Sequence, residues 1–138
     1  MTALATDRNT PERDGYTFRF DIAAAKKIWA GAIVMLDSSG NATPGAAATG
    51  QIAVGRAEET VDNAGGSAAD KQVTVKAGIF RWANSSAGDA ITKAEIGDDC
   101  WIADDQTVAK TNASSTRSVA GKVVDVDAAG VWVRIGLI

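Results

Sequence analysis

Acidic side chains are the groups in this chain whose spacing could support chemistry. Asp98-Asp99, Asp104-Asp105 and Asp125-x-Asp127 each set two carboxylates close together. Such pairs can supply oxygen ligands to calcium or act as acid and base on a glycosidic bond. None of the three has EF-hand spacing, and all lie in turn-forming or strand-like stretches rather than between apolar walls, so solvated turns and polar strand faces are the preferred reading. Trp82, Trp101 and Trp132 alternate with other residues along strand-like runs. That placement reads as core or interface rather than as a sugar platform. The chain has no histidine, which removes Ser-His-Asp and Cys-His nucleophiles and most zinc sites. Gly65-Gly66 is followed by no Lys-Ser/Thr pair and opens no helix, so it is not a phosphate loop. The single cysteine, Cys100, sits in the apolar run Cys100-Trp101-Ile102 and reads as a buried, inert thiol. These residues predict no catalytic centre, no cofactor and no metal.

The elements that must position these residues follow from composition and pattern. A chain of 138 residues is enough for one domain that buries roughly two-thirds of its unfolded surface. A net charge of −3 argues against nucleic acid or an anionic membrane as a partner, because both need a basic face. No basic stretch leads into an apolar run near the start, so no secretory leader is expected. Residues 1–15 are polar and aperiodic and form an arm that either frays or orders on a partner. Residues 16–138 form one β-rich domain.

Tyr16–Ile22, Gly31–Asp37 and Gln51–Glu58 read as strands, with a turn at Ser38–Asn41 and a short return at Ala42-Thr43. Ala23–Lys27 is ambiguous between helix and extended chain. Gln72–Trp82 is the longest alternating run, with Gly78 marking a bend. Asp89 is expected to cap a single helical turn over Ala90–Ile96, ended by Gly97. Cys100–Asp104 and Thr107–Ala109 form a further pair. Ser118–Asp127 and Val131–Gly136 form a hairpin around Ala128-Ala129-Gly130. The expected class is mostly β: a small barrel or sandwich of two similar halves, with an extended N-terminal arm and one short helical turn.

The two halves are suggested by one ungapped offset. Gly31 and Gly97, Leu36 and Ile102, and Gly55 and Gly121 are each separated by 66 residues. The halves are placed at about 16–82 and 83–138. They differ most in the loop Val61–Lys71, whose Asp62, Asn63, Asp70 and Lys71 make it a second candidate contact surface beside the arm.

Four stretches carry a resemblance. Gly31-Ala32-Ile33-Val34-Met35-Leu36-Asp37-Ser38-Ser39-Gly40-Asn41-Ala42-Thr43-Pro44 is similar to the opening hairpin of tailed-bacteriophage capsid decoration (cement) proteins. So are Ala53–Glu58 and Val73–Phe80. Ala5–Arg13 resembles the leader of the Mu-like phage and prophage members. The resemblance implies a small barrel-like virion protein on the capsid outer surface, commonly a homotrimer. Such a protein binds the major capsid protein after shell expansion and cross-links capsomers. On that reading Asp7, Arg8, Asn9, Thr10, Pro11, Glu12 and Arg13 order on the shell or on a neighbouring protomer. A tail-tube or head–tail joining protein is the alternative from the same class. A carbohydrate-binding module using Trp82, Trp101 or Trp132 is the alternative from another.

Overall fold

The computed structural model describes residues 2–13 and 15–138; Met1 and Asp14, both in the expected arm, lie outside the described residues. In chain order the strands are β1 (Thr17–Asp21), β2 (Lys26–Ile28), β3 (Ile33–Leu36), β4 (Ala42–Pro44), β5 (Ile52–Ala57) and β6 (Val61–Asn63). They continue with β7 (Gln72–Lys76), β8 (Gly78–Asn84), β9 (Asp99–Ile102), β10 (Thr107–Ala109), β11 (Val119–Asp127) and β12 (Gly130–Ile135). Two 3-10 turns, Ala87–Asp89 and Lys93–Glu95, separate β8 from β9. The protein is mostly β, as its alternating patterns predict.

Two sheets carry the fold, and their strands run in the same order. The first is β1-β7-β5-β3-β4; the second is a closed barrel, β8-β12-β11-β9-β10, sealed by parallel pairing of β10 with β8. Registers agree at the core pairs, and the β11–β12 ladder adds a shift between Val123 and Asp125. Val34 pairs with Gly55 in the first half, and Cys100 with Gly121 in the second. Leu36 pairs with Ala42, and Ile102 with Val108. Ala57 pairs with Val75, and Val123 with Val133. Arg19 pairs with Thr74, and Arg81 with Trp132. Even the bulge recurs, between Val34 and Met35 and again in the β9–β11 ladder. The single parallel bridge Ile22–Ala42 stands where Asn84–Val108 closes the second barrel. The first half is therefore the same barrel, left nearly open at its seam.

The inward residues correspond as well. One core holds Ile22, Val34, Ala42, Val54, Ala57, Val73 and Val75; the other holds Trp82, Cys100, Val108, Ala120, Val123, Val131 and Val133. Inward faces alternate with outward ones along each strand, as a pleated sheet requires. Phe18 and Phe20 in β1 match Phe80 and Trp82 in β8, so the aromatic strand is repeated.

Several expectations change. Gln72–Trp82 is not one strand: it breaks at Ala77, and β7 and β8 belong to different sheets. Ala77 is buried, its N–H donates to Tyr16 O at 2.8 Å, and Gly136 packs against it, which fixes the corner. The boundary expected at 82/83 therefore falls at Ala77, because β8 opens the second sheet. Ala23–Lys27 forms no helix; its end enters β2, which pairs with β6. That ribbon gives the expected loop Val61–Lys71 a strand at its start. The 3-10 turn Lys93–Glu95 is capped by Thr92, not Asp89. Thr92 Oγ1 accepts from Ala94 N, and Glu95 Oε2 accepts from Thr92 N at 2.6 Å.

The halves dock through β3. Its outward residues Ile33 and Met35, both buried, join the second core together with Ala48 and Ala53. Burying two such side chains contributes about 1.5–3 kcal/mol each. Ile33 N also donates to Asp105 O at 2.8 Å, and Ser118 Oγ links Ala48 O to Gln51 N.

Close backbone approach at the repeated bulge makes one substitution informative. A Cβ on Gly121 would stand 2.1 Å from Arg134 O, and one on Gly55 2.3 Å from Lys76 O. Gly121→Ala is expected to destabilise the protein by about 1–3 kcal/mol, the usual cost of overpacking. Gly88→Ala, with nothing within 4 Å, should change stability little. Urea denaturation midpoints compare the two, and equal midpoints would refute the crowding argument.

Candidate functional site

Three surfaces could carry function: the arm, the β2–β6 ribbon with its loop, and a groove where the two halves meet. Every described residue of 2–13 is exposed, Leu4 among them at 73%. Asp7, Arg8, Asn9, Thr10, Pro11, Glu12 and Arg13 make no side-chain hydrogen bond or ion pair among the described residues. The one backbone bond recorded within the arm is Thr10 N to Arg8 O at 3.1 Å. A peptide with this composition has no apolar face with which to bury itself on its own body. The arm leads into β1, the first strand of the open sheet.

The second expected contact loop is tied to itself. Asn63 is buried, and its amide donates to Ala23 O at 3.2 Å and to Ser67 O at 3.0 Å. It therefore braces the loop and is withdrawn from any contact surface, a correction to its expected role. Asp62 accepts from Ala64 N, Asp70 accepts from Ser67 N, and Lys71 Nζ donates to Asp62 O at 2.6 Å. Asp62, Asp70 and Lys71 remain exposed on an internally bonded turn.

The groove collects residues from both halves. A cleft of about 620 Å³ is lined by Arg56, Lys76, Phe80, Arg81, Trp82 and Trp132, with Gly31 and Gln106 at the end it shares with a second cleft beside Trp29. The Arg56 guanidinium lies 4.2 Å from the centre of the Phe80 ring, and that of Arg81 lies 5.6 Å from Trp132. Arg56 also pairs with Glu58 at 2.8 Å. Trp132 Nε1 donates to Asp127 Oδ2 at 3.0 Å, while Asp127 Oδ1 accepts from Ala129 N and Gly130 N across the hairpin turn. These bonds favour the charged carboxylate, with that from Trp132 the largest influence, and hold Asp127 below its ordinary value. Trp82 is 5% exposed, and its Nε1 has no acceptor among the described residues.

Of the three tryptophans considered as a platform, Trp82 and Trp132 line this groove, whereas Trp101 lies on the outward side of β9. Sequence reasoning missed Arg56, Lys76 and Arg81. Arg81 sits between Phe80 and Trp82 in an alternating strand, which marks it as outward, but its cross-strand partner Trp132 comes from the long-range pairing of β8 with β12, which no local pattern reveals. No group of three or more acidic, cysteine or histidine side chains stands ready to hold a metal among the described residues.

Two further groups are placed for stability. Asp89 accepts from Thr111 Oγ1 and from Arg117 Nη1 at 3.1 Å, and these contacts, Thr111 first, lower its pKa. They brace a loop in which Ala113, Ser114 and Ser115 all have positive φ, a conformation that costs a non-glycine residue about 1–2 kcal/mol. Cys100 is fully buried beside Gly121 O, and burial pushes its thiol up to about 12. No protein-family model, curated protein or solved structure matches this chain.

Two outcomes follow from these shifts. A carboxylate with a depressed folded pKa stabilises fully above its unfolded value and loses that contribution as pH falls through the folded one. Asp89→Asn should lower the Tm at pH 7 and flatten its decline in acid below about pH 4, where free aspartate takes up its proton. A parallel, merely displaced acid limb in the variant would contradict the assignment. Cys100 should resist iodoacetamide at pH 8 in the folded protein and react once denaturant unfolds it; rapid native labelling would contradict its burial.

Proposed function

We propose that this chain is a structural virion protein that binds the outer surface of a phage capsid and stabilises the shell by cross-linking capsomers. The observation that supports this reading is the arm: residues 2–13 are exposed throughout and run into β1 at one edge of a nearly open sheet. An arm next to a sheet edge can add to a neighbour's sheet through main-chain hydrogen bonds, with side chains setting specificity. Asp7 to Arg13 carry both charges and suit a polar shell or a neighbouring protomer.

The rest of the fold suits an adhesive part. Two docked barrels make a stiff body from which the arm projects, and a homotrimer would present three such arms. Multivalent attachment raises overall affinity without any new contact, provided the geometry allows all arms to engage at once. The major capsid protein is the partner on this reading. A sugar-binding role draws less support, because the Trp132 and Phe80 rings carry guanidinium groups close to them rather than standing clear for a pyranose.

Deleting residues 1–15 should abolish co-sedimentation with expanded capsid shells while leaving far-UV circular dichroism and the Tm unchanged. Undiminished co-sedimentation would defeat the arm's role. Light scattering of the intact protein should give a trimer; closed rings of about six copies would favour a tail-tube or joining part instead.

A further inference from the structure

We propose that the groove between the two barrels is a carboxylate-binding site that receives a Glu/Asp-rich segment of a partner polypeptide. The inference does not depend on what the arm binds.

Charge is the first argument. The chain carries a net −3, yet the residues lining this cleft include Lys76, Arg81 and an Arg56 already paired with Glu58, and no acidic side chain. Lys76 and Arg81 form no ion pair within 4.0 Å among the described residues. A local cationic cleft on an acidic body attracts anions and does so against the average field of the molecule.

The internal repeat supplies the second argument, because it provides a matched control within one chain. Arg19 occupies in β1 the position that Arg81 occupies in β8. Arg19 spends its donors at home: Nε donates to Gln72 Oε1 at 2.9 Å and Nη1 to Thr74 Oγ1 at 3.1 Å. In the second half Gly130 and Trp132 stand at the positions of Gln72 and Thr74. Both acceptors are gone, and an aromatic ring takes the place of one. Arg81 lies over the Trp132 ring and makes no hydrogen bond among the described residues, although its charge reaches the Asp127 carboxylate that Trp132 holds. A guanidinium held near an aromatic ring keeps the planar fork that matches a carboxylate.

The chemistry selects among anions. Guanidinium groups near the Phe80 and Trp132 rings disfavour the flat stacking that sugars and nucleobases require. Carboxylates need only the N–H edges, which are available. Lys76 and Arg81 flank the cleft as separate charges, which suits several acidic side chains along an extended segment better than one small anion.

The test uses the intact protein and an end-blocked octaglutamate peptide, read by tryptophan fluorescence. Saturable binding that weakens with added salt is expected. Arg81→Gln should weaken it about tenfold or more, the worth of a charge-assisted hydrogen bond, and Lys76→Gln should weaken it in the same direction. Arg19→Gln, at the matching position of the other half, should leave it unchanged. Thermal melts confirm that each variant folds, and Lys76→Gln, at an exposed site, serves if Arg81→Gln does not. Equal loss in the Arg19 and Arg81 variants, equal binding of a neutral peptide of the same length, or no binding at millimolar peptide would overturn the proposal. Tighter, Arg81-dependent binding of a heparin fragment would overturn the polypeptide assignment.

Discussion

Close passage of one backbone over another at the repeated bulge is the constraint on which the structure depends. In each half the central strand crosses its neighbour so tightly that a methyl group at Gly55 or Gly121 would overlap a carbonyl oxygen. Sheets of five strands close only if they bend sharply, and a bulge beside a glycine provides the bend without steric cost. The inward rows of Val34, Val54 and Val75, and of Cys100, Ala120 and Val133, meet because of that curl. Small inward residues are a consequence: a five-stranded barrel has little room inside, which explains a core built on valine, alanine and isoleucine with few aromatics.

One frame used twice leaves the differences between copies to carry function. On β3 the outward residues Ile33 and Met35 are buried against the second barrel; at the matching positions of β9 stand Asp99, exposed and paired with Lys122 at 2.8 Å, and the half-buried Trp101. The same face is thus glue in one half and water-facing surface in the other. Where the first half carries the β2–β6 ribbon, the second carries the 3-10 turn Lys93–Glu95 and a tight hairpin. Where Arg19 hydrogen-bonds local acceptors, Arg81 makes no such bond beside the groove. Matching strand order and core registers make these contrasts readable as side-chain effects.

Much of this architecture is legible in the chain because strand patterns are local. The offset from Gly31 to Gly97 aligns β3, β4 and β5 with β9, β10 and β11, and the structure pairs those strands in the same registers. The outer strands escaped that alignment. The loop after β5 is longer than the hairpin turn after β11, so β7 and β12 need a shorter offset, and β1 and β8 need another. A single ungapped shift cannot find them, and so β8 was assigned to the wrong half. Asp89 was read as a helix cap because its neighbours suit a helical turn, but its partners Thr111 and Arg117 lie far along the chain. Asn63 looked like an ordinary polar loop residue, since nothing local reveals the carbonyls of Ala23 and Ser67 that bury it.

By itself the sequence determined the β class, the polar arm, the C-terminal hairpin and the buried cysteine. Each follows from composition or from a period-two pattern within a few residues, where local sterics and burial dominate. Only the tertiary structure decided that Gln72–Trp82 divides between two sheets, that β3 faces a second core, and that Arg56, Lys76 and Arg81 meet around one groove. Those outcomes depend on packing between segments distant in the chain. Their free energy comes from long-range burial and register, and no local window contains both partners.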